Sequence, residues 1–93
     1  MEFVVIVEPD EVGRKRLEGT FQSEKPSFSY KITEKPEEAL DILEQQKVDV
    51  LVCETSLSVL SGREFFSMAK MISPDTVRVA MTSAEHVKDI LSF

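Results

Sequence analysis

The chain is 93 residues long, enough for one domain, residues 1–93, and too short for two. With 42% hydrophobic and 30% charged residues it has the composition of an ordinary folded protein, which argues against disorder. Its net charge of -6 comes from acids spread along the whole chain, with no Lys/Arg stripe to neutralise phosphates, so nucleic acid is not expected as a direct partner.

The continuous β-branched run Phe3-Val4-Val5-Ile6-Val7 predicts a strand buried on both faces. Pro9 and Asp10 open a helix, since proline is tolerated in the first turn and acids suit the N-terminus. Leu17 and Phe21, four apart, share its buried face, and the helix ends near Ser23, before Pro26. Its basic run, Arg14-Lys15-Arg16, reads as a solvated face. Residues 28–32 alternate apolar and polar, as a half-buried edge strand does. Pro36 starts a second helix with Glu37 and Glu38 in its first turn and Ala39, Leu40 and Leu43 as its apolar stripe. Val48 to Cys53 is a second fully buried strand, ending at Glu54.

A loop from Thr55 to Ser61 leads past Gly62 into a helix carrying Phe65, Phe66, Ala69 and Ile72, which Ser73-Pro74-Asp75 breaks. Val77 to Met81 is a fourth strand, its apolar run interrupted by Arg78, and Ala84 to Leu91 a last short helix. The order β-α-β-α-β-α-β-α implies a parallel sheet with right-handed crossovers and helices on both faces. So short a chain buries a smaller share of its surface than a full-size domain, so a thin stability margin is expected unless something covers its apolar surface.

One cysteine, Cys53, forbids an intrachain disulfide, and no signal peptide is visible, so the expected location is the reducing cytoplasm. No apolar stretch approaches the ~20 residues of a membrane span. Cys53 reads as a small core side chain, His86 as a surface histidine, and Met68, Met71 and Met81 as core fillers.

In an open parallel sheet, sites form at the carboxyl ends of the strands. Here those ends carry Glu8 and Asp10 after the first strand, Glu54 after the third, and Thr82 with Ser83 after the fourth. Acids converging from separate strands can hold a divalent cation through oxygen, with a hydroxyl beside them to contact a phosphoryl oxygen.

The segments Val-Ile-Val-Glu-Pro-Asp-Glu (5–11) with Arg14 and Leu17, Val-Asp-Val-Leu-Val-Cys-Glu (48–54), Ser61-Gly62-Arg63-Glu64 and Val-Arg-Val-Ala-Met-Thr-Ser-Ala (77–84) occur in that order. Together they resemble the receiver domain of bacterial two-component response regulators. The resemblance implies a flavodoxin-like (CheY-like) α/β fold with strand order 2-1-3-4. It also implies an acidic pair after the first strand, a phosphoacceptor aspartate after the third, and a Thr or Ser after the fourth.

The departures from that pattern bear on function. Glu54 stands at the phosphoacceptor position, and the acidic-pair positions read Glu8 and Pro9. Asp10 comes one place later, and Ser58 replaces the usual loop proline. The fifth strand, with its phosphate-binding lysine and aromatic switch residue, and the fifth helix are expected to be lacking.

The site of Glu8, Asp10, Glu54 and Thr82 is therefore expected to be degenerate, with no catalytic residue, no metal ligand and no cofactor. The expected function is that of a pseudo-receiver, not an enzyme, which works by binding a protein partner in a signalling pathway. Glu54 as a mimic of phosphoaspartate and Glu54 as an idle carboxylate remain two open readings. Other open readings are a phosphoacceptor completed by another chain and an N-terminal fragment of a longer regulator. Without a fifth strand, Val77, Val79 and Met81 would lie on an open apolar edge, a template for a homodimer through the fourth strand. The first helix and its neighbouring surface are the other candidate contact.

Overall fold

In a computed structural model of the protein, residues 2–54 and 62–81 are described. The elements run β1 (Phe3–Val7), α1 (Glu11–Glu24), β2 (Ser29–Thr33), α2 (Pro36–Gln45), β3 (Val50–Glu54), α3 (Gly62–Ile72) and β4 (Val77–Met81). Every pair of neighbouring strands is parallel, and the order is β2-β1-β3-β4, as expected. The expected loop from Thr55 to Ser61, including Ser58, and everything after Met81, including Thr82, Ser83, the expected last helix, His86 and Phe93, lie outside the described residues.

Local chemistry explains most boundaries. Asp10, not Pro9, is the N-cap of α1, its backbone extended at φ -82° and ψ 125°. The expectation that both residues open the helix is thus corrected: Pro9 lies outside, where its missing N–H costs nothing. α1 ends at Lys25, which is left-handed at φ 50° and donates its N–H to the Phe21 carbonyl. Pro26 follows and forbids another turn. Pro36 opens α2 as predicted. β2 starts one residue later than expected, and β3 starts at Val50, two residues later than expected, with Val48 and Asp49 tied to the segments on either side. The Asp49 carboxylate accepts from the Phe3 N–H at 2.8 Å, and the buried Thr76 hydroxyl donates to the Val48 carbonyl at 2.7 Å. These ties pin the amino ends of β1, β3 and β4.

Because side chains alternate along a strand, the sheet has two faces, and they are unequal. Val5 and Val7 of β1 and Leu51 and Cys53 of β3 pack under α2 and α3, against Ala39, Leu40, Leu43, Phe65, Phe66 and Ala69. Phe65, Leu51, Val5, Val7 and Cys53 are fully buried. Apart from the smaller Cys53, each such side chain contributes about 1.5–3 kcal/mol by leaving water.

The other face is covered in part. α1 lies over β2, with Phe21 tilted onto Tyr30 at 4.6 Å and edge-on to Phe28 at 5.8 Å. No residue of α1 is buried, so Leu17 and Phe21 are half-buried rather than on a buried face. Exposure then rises across the sheet. Val4 and Ile6 of β1 are 8% and 4% exposed. Their register partners Val50 and Val52 are half-buried. Beyond them Val77 and Val79 of β4 are 59% and 41% exposed. β3 is therefore buried on one face only, a correction to its reading as fully buried.

Met68 and Met71 are 43% and 85% exposed. They are not core fillers: the stripe of α3 that faces the sheet is Phe65, Phe66, Ala69 and Ile72. At 100° per residue, Met68 falls on the flank of that stripe and Met71 outside it.

Candidate functional site

The parallel register brings the sequence-predicted positions to one edge. Val7 pairs with Cys53, so Glu8 leaves β1 beside Glu54, and Glu54 pairs with Met81. Thr82 follows Met81 and lies outside the described residues. Glu8 continues the ladder one step beyond β1, donating its N–H to the Thr33 carbonyl at 2.8 Å.

The side chains after β1 are committed locally. Glu8 is half-buried, and its carboxylate rests against Gly13 in the first turn of α1. A Cβ at Gly13 would stand 2.6 Å from Glu8 Oε1, so the absence of a side chain there makes the room. Asp10 is exposed, and its Oδ2 accepts the Gly13 N–H at 2.9 Å. That bond satisfies one of the orphan donors of the helix and places a negative charge at its positive end.

Arg14 reaches backward from α1. Its Nη1 donates to the Pro9 carbonyl at 2.8 Å and the Glu8 carbonyl at 3.1 Å, and stands 3.6 Å from Glu34 Oε2 after β2. The guanidinium therefore ties the loop after β1 to the loop after β2. For Arg14 the reading as part of a solvated basic face is corrected, because two carbonyls that leave the sheet need a donor. Sequence reasoning missed this role; the available signal was an arginine one turn into a helix that a proline-containing loop precedes.

A divalent cation held by the acids at this edge, such as magnesium, needs several oxygen ligands. Pro9 offers no side-chain oxygen, and one Asp10 oxygen caps α1. Among the described residues no three His, Cys, Asp or Glu side chains converge. Beside them Glu8, Gly13, Arg16, Leu17, Thr20 and Met81 line an open hollow of about 300 Å³. It carries one carboxylate and one guanidinium on walls that are otherwise mostly carbon.

The Response_reg family, described as the response regulator receiver domain, matches residues 4–93. No curated protein matches the sequence. Solved structures share the fold. An adenylate cyclase from Rhodopirellula baltica superposes with a TM-score of 0.85 at 20% identity, over 98% of this chain and 66% of that one. The response regulator TrrA from Thermotoga maritima, in complex with magnesium and BeF, gives 0.80 at 20% identity, over 99% of this chain and 79% of that one. A Saccharomyces cerevisiae response-regulator receiver domain, co-crystallised with a histidine phosphotransfer signalling protein, gives 0.70 at 24% identity, over 89% of this chain and 64% of that one. The chain thus spans 66% of the first of these structures. No helix among the described residues is long and apolar enough to cross a membrane.

Proposed function

Because the chain belongs to the response regulator receiver domain family, we propose that it is a two-component signalling module that acts by binding protein and does not accept a phosphoryl group. The observation that carries the proposal is the loop after β1. Where a receiver carries an acidic pair, this chain has Glu8 packed on Gly13 and a proline, while the next acid caps a helix. Phosphoryl transfer is catalysed almost entirely by positioning and by charge stabilisation. Incomplete metal ligation removes much of the second. Glutamate at position 54 carries its carboxylate one methylene farther from the backbone than aspartate, a displacement on the order of 1 Å. Misplacement of that size costs about 100-fold.

The reading extends to partners and cofactors. The partner is a protein of the same signalling pathway, as the phosphotransfer protein is for the yeast receiver domain. A second copy of this chain is one such partner. Nucleic acid and membrane are not partners, the chain has no enzymatic activity of its own, and it acts in the cytoplasm.

The test is incubation with a small-molecule phosphodonor and magnesium, followed by intact-mass spectrometry. No +80 Da adduct is expected for the wild type or for Glu54→Asp, which corrects the nucleophile and leaves Pro9 in place. A stoichiometric adduct on either would overturn the reading. In a parallel magnesium titration, amide shifts near Glu8 should not saturate in the low millimolar range.

A further inference from the structure

We infer that the outer surface shared by α2 and α3 is a docking site for a basic amphipathic helix of a partner protein. The inference rests on the protein-binding reading above and names the chemistry of the partner.

Two stripes of side chains make the surface. Each has the spacing i, i+4, i+7, which keeps its residues on one side of a helix. On α2 they are Glu37, Asp41 and Glu44, all exposed. On α3 they are Glu64, Met68 and Met71, also exposed. Helix geometry sets the two stripes side by side. Arg78 of β4 donates to the Phe66 carbonyl, so the flank of α3 that carries Phe66 is the one turned to β4. At 100° per residue Arg63 and Lys70 share that flank, and Glu64, Met68 and Met71 fall on the opposite one, toward α2. α2 packs against α3 and runs in the same direction on the same face of the sheet. Its flank toward α3 is therefore equivalent to the flank of α3 toward β4, and Glu37, Asp41 and Glu44 lie there. The surface is built wholly from described residues and lies on the side of α3 away from β4.

The fold gains little from these positions. Glu37 suits the first turn of α2, but Asp41 repels it from one turn later. Glu44 stands in the last turn, where the helix dipole favours a cation and α2 has none. Glu38 of the same helix meets the Thr33 hydroxyl and Lys31, whereas the described salt bridges leave out Glu37, Asp41 and Glu44. Beside them Met71, at 85% exposure, holds a flexible apolar side chain in water. Methionine adapts to irregular apolar partners and is enriched at protein interfaces. An apolar strip edged by carboxylates is matched by a helix with one apolar face and Lys or Arg along its borders. The same carboxylates repel an anionic lipid surface.

The experiment uses the 93-residue chain with isotope-labelled methionine methyl groups. It is titrated with a synthetic amphipathic helix of leucine and lysine, and with the same peptide carrying glutamate for lysine. The Met68 and Met71 resonances should shift saturably with the lysine peptide alone, and binding should weaken with added salt. Met81, which lines the hollow beside α1 on the other face of the sheet, should keep its position and report that the fold is intact. Asp41→Asn combined with Glu44→Gln should raise the dissociation constant at least ~10-fold, and Met71→Ser should raise it too. Glu18→Gln, at an exposed acid of α1, should leave it unchanged. No shift at Met68 and Met71, an equal shift at Met81, or wild-type affinity in the double variant overturns the inference. An adduct in the phosphodonor assay would instead strike the functional reading, so the two failures are told apart.

Discussion

At Asp10 two demands meet on one carboxylate: the open N-terminus of α1 and the acidic edge of the sheet. The helix takes it, at 2.9 Å from Gly13 N. Asp10→Ala should therefore cost about 1 kcal/mol in urea unfolding with an unchanged m-value. Asp10→Asn should stay within a few tenths of the wild type, because asparagine caps as well as aspartate. Equal losses for both would mean that the charge, not the cap, is what matters. Residue type and place were legible here, since an acid just before an apolar period marks a helix start. What the carboxylate bonds to was not, because that depends on the direction in which the chain leaves β1. The same holds for Arg14, whose charge is plain in the sequence and whose carbonyl partners exist only once the loop has folded.

α1 is a helix whose stability is open to change, since none of its residues is buried. Two glycines sit in it under opposite constraints. Gly19 has open space where a side chain would go. Gly19→Ala should stabilise by roughly 0.5–1 kcal/mol, read as a rise in Tm, because alanine loses less freedom on folding. Gly13→Ala should gain less, since its Cβ would meet Glu8 Oε1 at 2.6 Å and the carboxylate must move. In a Glu8→Ala background Gly13→Ala should recover the full helical gain, a coupling that a double-mutant cycle measures. Element types and order were legible from apolar periodicity and from Pro9, Pro26 and Pro36. The start of β3 was not: Val48 is as apolar as its neighbours, but its carbonyl is claimed by Thr76 from 28 residues away.

Across the whole molecule the stability rests on one side of the sheet. Phe65 is fully buried between α3 and the sheet. Phe65→Ala should cost about 3–5 kcal/mol, a large share of the ~5–15 kcal/mol that holds a small domain folded. Met71→Ala, on the outer side of the same helix at 85% exposure, should change stability by less than about 0.5 kcal/mol. Chemical unfolding of both variants checks the contrast. Strand order was legible through the receiver resemblance, with which right-handed crossovers are consistent. The half-covered second face was not, since Val50, Val52, Val77 and Val79 carry the same apolar code as the buried valines of β1. Their exposure follows from where α1 lies.

The strand order also sets a schedule for synthesis. β1 is translated first and sits inside the sheet, flanked by β2 and by β3. Its second neighbour begins only at Val50. At ~5–20 residues per second, the ribosome needs roughly 2 to 9 s to bridge the gap from Val7 to Val50. For that interval the most apolar segment of the chain has no complete place to go. Nascent chains stalled between β2 and β3 should therefore be the ones that holdase chaperones capture, and release should coincide with the emergence of β3 from the exit tunnel.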